Sequence, residues 1–156
     1  RVLSVTTAGT GDNGKTNTIV GTDVFDNAVT EVITSTGSAE AVDGATFFKT
    51  VTSVTSSAQF AANIEVGSIA SAAQSVAGGA RIRLKGYSIV SGGTAGVIDF
   101  IDGTPESGTT LFKARTIGTD NTTLDNTIPS EGILFKDGLT IKYTVGTIDM
   151  MSFFFA

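Results

Sequence analysis

Apolar and polar residues alternate with a period of two in short runs along this chain, and turn-forming clusters break the runs about every eight to twelve residues. In Arg81-Ile82-Arg83-Leu84-Lys85 the two apolar side chains point to one face and the three cationic ones to the other. Leu139-Thr140-Ile141-Lys142-Tyr143-Thr144-Val145 carries an apolar residue at every second position. A chain with this period cannot bury its apolar residues as amphipathic helices. It needs pleated strands with one wet face and one buried face.

Composition agrees. Ser and Thr together make up about a quarter of the 156 residues, glycine contributes 19, and charged residues are only 16%, against roughly 25% in an average soluble domain. Threonine, valine and isoleucine suit a pleated surface, and the strong helix formers are scarce. The length fits one ordinary domain or two small ones. Strands are expected near 2–7, 17–24, 29–36, 46–56, 62–69, 80–91, 96–102, 109–117, 122–128, 132–136, 139–145 and 148–155. Asp12-Asn13-Gly14, Ser91-Gly92-Gly93 and Asp102-Gly103-Thr104-Pro105 mark turns, and Gly14 is expected at positive φ. Asp137-Gly138 predicts a tight hairpin with a type I′ turn. The segment 70–77, rich in Ala, Ser and Gln, is expected as a linker or a single helical turn. The expected fold is all-β, an antiparallel β-sandwich or jelly-roll-like arrangement. Residues 1–77 and 78–156 are expected as two tandem β modules, parted at Gly78-Gly79.

The chain has no cysteine, no histidine and no tryptophan. This excludes disulfides, thiol nucleophiles, cysteine or histidine metal ligands and any Ser-His-Asp or Cys-His machinery. Net charge is −5, a field that repels nucleic acid. No apolar run is long enough to span a membrane, and no basic-then-apolar secretion signal is visible within these residues. Arg1 directly abuts the strand-like Val2-Leu3-Ser4-Val5, which suggests that an upstream piece has been removed.

One motif points elsewhere. Gly9-Thr10-Gly11-Asp12-Asn13-Gly14-Lys15-Thr16 matches GxxxxGK[ST], the phosphate-binding loop, and Val97-Ile98-Asp99-Phe100-Ile101-Asp102 resembles the strand that ends in a magnesium-binding carboxylate. That loop works through the N-terminus of a following helix. Here Thr16 leads into a β-branched stretch containing Gly21, with no helical stripe, so a flexible turn is the expectation. Asp99 with Asp102, or Asp120 with Asp125, has the residue types of a glycosidase pair, but nothing aromatic surrounds them to stack a sugar. Asp12, Asp102, Asp120 and Asp137 each sit beside Gly or Asn, where aspartate completes a turn. No catalytic, cofactor or metal residue is expected, and no enzymatic activity.

Two features suit an interface. Arg81, Arg83 and Lys85 form the one local basic row in an acidic chain, and arginine pairs carboxylates bidentately. Met150-Met151-Ser152-Phe153-Phe154-Phe155 is strongly apolar, a hazard on an open sheet edge. It is expected as a strand buried between sheets or partly covered by a neighbouring subunit. Phe153, Phe154 and Phe155 join the basic row as candidate interface residues.

Longer strings carry a resemblance. Thr18-Ile19-Val20-Gly21-Thr22-Asp23, Thr30-Glu31-Val32-Ile33, Phe47-Phe48-Lys49-Thr50-Val51-Thr52-Ser53-Val54-Thr55 and Ile64-Glu65-Val66-Gly67 resemble patterns in virion structural proteins of tailed bacteriophages. In the second half, Ala80-Arg81-Ile82-Arg83-Leu84-Lys85-Gly86, Gly93-Thr94-Ala95-Gly96-Val97-Ile98, Gly108-Thr109-Thr110-Leu111 and Pro129-Ser130-Glu131-Gly132-Ile133-Leu134-Phe135 are similar to a further such module. The resemblance implies a small β-sandwich in the virion, most simply a capsid decoration (cement) protein on the major capsid protein lattice. It implies a virion protein as partner, a homo-oligomer with a trimer favoured, and neither nucleic acid, membrane nor cofactor. The alternatives are a tail, neck or fibre component with an adhesive or carbohydrate-binding role and, more remotely, a phosphate-loop nucleotide-binding protein.

Overall fold

The computed structural model describes residues 1–119 and 121–156; Asp120, half of one candidate carboxylate pair, lies outside them. The chain is all-β, built from antiparallel sheets, and divides into two compact units, Arg1–Ala70 and Ser71–Ala156. Among the described residues there is no α-helix.

The first unit holds β1 (Val2–Thr7), a 3₁₀ turn at Thr10–Asp12, β2 (Thr16–Thr22), β3 (Ala28–Thr34), β4 (Ala41–Phe47), β5 (Thr50–Ser56) and β6 (Ile64–Ser68). They form two three-stranded sheets ordered β4-β1-β6 and β3-β2-β5. Val5, Ile19, Ile33 and Phe48 make the small buried core, joined by Leu3, Val29, Val42 and Ile64. The expected strand 46–56 is two strands in different sheets. Between them the Phe48 amide donates to the Arg1 carbonyl at 2.8 Å and the Lys49 amide to the Thr22 carbonyl at 2.8 Å, so the backbone crosses from one sheet to the other. β4 lies in a stretch where alternation is masked by Ala, Asp and Gly.

The two sheets are tied on one side. Glu31 of β3 lies opposite the buried Ile19, on the inner face, and its carboxylate accepts the amides of Ala45 and Thr46 on β4. A Cβ on Gly44 would collide with that carboxylate, which explains a glycine mid-strand. β5 and β6 are the opposite edges of their sheets.

The second unit holds β7 (Ser71–Gly78), β8 (Ile82–Ser91), β9 (Ala95–Asp102), β10 (Thr109–Ile117), β11 (Thr123–Thr127), β12 (Ile133–Phe135), β13 (Gly138–Thr144) and β14 (Ile148–Phe155). One sheet runs β10-β9-β13-β7; in the other, β8 pairs with β11 and β12 and also with β14. Between them Leu84, Tyr87, Ile89, Ile98, Phe100, Phe135, Leu139 and Ile141 are buried. Phe100 stacks on Phe112 at 4.0 Å between ring centres and sits 5.1 Å from the tilted ring of Tyr87. Such contacts add to the area burial that holds a sandwich together.

Two local expectations are corrected here. Residues 70–77 are no linker or helical turn, because β7 forms a full ladder with β13, from Ser71 opposite Thr144 to Gly78 opposite Gly138. Its small side chains suit an edge strand over a filled core. That ladder also places the division between units at Ala70–Ser71, at the other end of β7 from the expected cut at 77/78. Asp137-Gly138 is no hairpin, because β12 pairs with β8 while β13 pairs with β7 and β9 in the other sheet. Only Gly138 of the two has positive φ, whereas a type I′ turn needs both. The Asp102 carboxylate takes the Asp137 amide at 2.7 Å, and the Gly103 amide donates to the Gly138 carbonyl at 2.9 Å, which steers the chain across the sandwich.

Candidate functional site

The candidate interface assembles from β8 and β14. These strands are antiparallel, with Ile148 opposite Ser91 and Phe155 opposite Leu84. Beyond the strand the ladder continues, since the Ala156 amide donates to the Arg83 carbonyl at 3.0 Å. The basic row and the aromatic run, 68 or more residues apart in sequence, therefore lie side by side.

The pleat sorts the aromatic run. Met151 lies opposite Ile89 and Phe153 opposite Tyr87, so both face the core. Phe153 meets Phe100 edge-on at 6.2 Å and stacks with Phe155 at 6.3 Å. Met150 and Phe154 lie opposite Val90 and Gly86, on the outer face. Phe154 is 57% exposed, Met150 61% and Phe155 45%. The Phe154 ring lies over Gly86, where an added Cβ would come within 3.4 Å of it. Of the three candidate phenylalanines, then, Phe153 packs inward while Phe154 and Phe155 are exposed.

The basic row is sorted too. Leu84 is buried and Ile82 packs beside it, which leaves Arg83 and Lys85 on the other side of β8. Lys85 is the extra residue of a bulge, because Phe154 pairs with Gly86 and Phe155 with Leu84. Its Nζ donates to the Ser130 carbonyl at 2.7 Å, and Arg83 Nη1 donates to the Glu131 carbonyl at 3.3 Å. These two cations bind the 129–132 turn without being neutralised. Arg81 is exposed and has no side-chain partner among the described residues.

Among the described residues β14 pairs on one side only, with β8, which leaves its other edge without a strand partner. Its eight residues include no Lys, Arg or Pro, the residues that usually blunt an edge.

The phosphate-loop match has a different geometry from a nucleotide site. Thr16 opens a strand, β2, and no helix N-terminus follows. Gly14 has φ of 78°, as the turn chemistry predicts. Lys15 Nζ donates to Asp12 Oδ1 at 2.9 Å and to the Gln59 carbonyl at 2.6 Å, with its charge 5.2 Å from the centre of the Phe60 ring. The Asp12 carboxylate is fully enclosed and also accepts the amides of Ala61 at 2.7 Å and Ala62 at 3.3 Å. The Ala61 amide and then the Lys15 ammonium hold its carboxyl below the ordinary aspartate range, against the opposing effect of burial. Residues 9–16 thus clasp the 57–62 connection. Neither the lysine's distant partner nor the clasp had a signal in the local sequence.

Two of the other candidate carboxylates have structural partners. Asp99 pairs with Lys113 at 2.9 Å, and Asp102 holds the Asp137 amide. Asp125 sits exposed on β11. Among the described residues no three acidic side chains gather as a metal site. Searches against protein-family models, curated proteins and solved structures return no match to this chain.

Proposed function

We propose that this chain is a structural protein of a tailed-bacteriophage virion, working as a capsid decoration protein that binds the major capsid protein lattice and self-associates. The carrying observation is the β14 edge, an eight-residue, largely apolar strand with Met150, Phe154 and Phe155 exposed, whose partner strand β8 carries Arg83 and Lys85 and follows directly on Arg81. Apolar residues rimmed by positive charge mark protein contacts rather than chemistry. The all-β scaffold supports the same reading, because a cement protein must hold its shape while many weak contacts add up over a lattice. The sequence resemblance supplies the virion context.

The test is location. Antibody to the purified chain, applied to purified tailed-phage particles from the source of the sequence, should label the shell in a regular pattern by immunogold electron microscopy. Particles that carry none of the protein would contradict the proposal.

A further inference from the structure

The first unit also has an unfinished side. Val54 on β5 lies opposite the fully buried Ile19, and Val66 on β6 lies opposite Val5, which is 1% exposed. Both valines therefore face the interior of the sandwich. Yet Val54 is 41% exposed and Val66 43%, and every residue of β5 is exposed. Glu31 closes the β3–β4 side, and among the described residues nothing equivalent bridges β5 to β6. The edge of β6 is open, with apolar inner-face residues behind it.

Charge identifies the occupant. The unit Arg1–Ala70 carries three basic and seven acidic side chains, a net −4, while Ser71–Ala156 carries seven and eight, a net −1. The sheet β4-β1-β6 bears Asp43 and Glu65, both exposed, and its strands contain no Lys or Arg. Glu65 on the edge strand repels a second β6. It suits a strand with a free cation near its end, and β14 is such a strand, largely apolar, open on one edge, with the exposed Arg81 just past the end of its partner β8.

We infer that β14 of one molecule pairs edge-to-edge with β6 of a second copy of this chain, in a head-to-tail contact. Phe155 and its neighbours cover Val66 and Val54 of the other copy, and Arg81 faces Glu65. This contact is heterologous, so repeating it closes a ring or extends a filament rather than making a two-fold dimer. It deepens the proposed function by naming the self-contact, and rests on that reading only for its place in the virion.

A mixing experiment tests it. Phe155→Lys and Val66→Lys change exposed side chains, and circular dichroism checks that each variant stays folded. By sedimentation velocity each variant alone should be monomeric where the unaltered protein assembles. Mixed in equal amounts they should form one-to-one heterodimers, because one partner keeps an intact β6 and the other an intact β14. As a second test, Arg81→Glu should weaken assembly at least about tenfold, and Glu65→Arg in the same chain should recover part of the loss. Normal assembly by Val66→Lys, a mixture that stays monomeric, or an unaltered protein that never self-associates overturns the inference. A chain that labels particles but stays monomeric in solution sinks this contact alone. One that assembles this way but is missing from particles sinks the virion role alone.

Discussion

At the residue scale, Asp12 carries the most consequence in the first unit. Its carboxylate joins Lys15 and the amides of Ala61 and Ala62 across about fifty residues of chain. Because its pKa is depressed in the folded protein, the clasp contributes stability in full above the ordinary aspartate value. That contribution fades as pH falls through the lowered pKa. Asp12→Asn should therefore melt at a lower temperature than the unaltered protein at pH 7, and the gap should close as pH drops below about 4. Thermal melts followed by circular dichroism across that range check it; a gap independent of pH would contradict the account. The positive φ at Gly14 was legible in Asp12-Asn13-Gly14, since turn chemistry is local. The partner of Lys15 was not, because a backbone carbonyl 44 residues away leaves no mark in local sequence.

At the element scale, β14 separates packing from exposure within adjacent residues. Phe153 packs on Phe100, so Phe153→Ala should cost about 2–4 kcal/mol of stability. Phe154 lies over Gly86 with more than half its surface exposed, and Phe154→Ala should move stability by no more than about 0.5 kcal/mol. Urea titration of the two variants measures both; equal losses would mean the inward and outward assignments are wrong. Strands such as 109–117 and 148–155 were legible end to end, because β-branched and aromatic runs are bounded by glycine turns. β7 was not, because its Ala and Ser residues suit helix or loop equally until β13 supplies a partner. Asp137-Gly138 marked a break between strands but not the expected hairpin turn, because such a signal does not say whether the next strand joins the same sheet or the facing one. The candidate site was half legible. The basic row and the aromatic run each stood out, while their adjacency depends on the long-range β8–β14 ladder.

At the scale of the whole molecule, the chain joins two β units of unequal charge, each with an exposed apolar edge. Exposed edges of this length invite pairing, and the one charge on β14, Asp149, lies at the far end of the strand from Phe154 and Phe155. Assembly by matching such edges needs no catalytic group. A phosphate-binding loop without a following helix, with its lysine held by Asp12, offers a nucleotide little in return. The most direct measurement is native mass spectrometry of the purified chain with and without Mg-ATP. The account predicts assemblies of more than one copy, unchanged in mass by nucleotide. A monomer that takes up one ATP would contradict it.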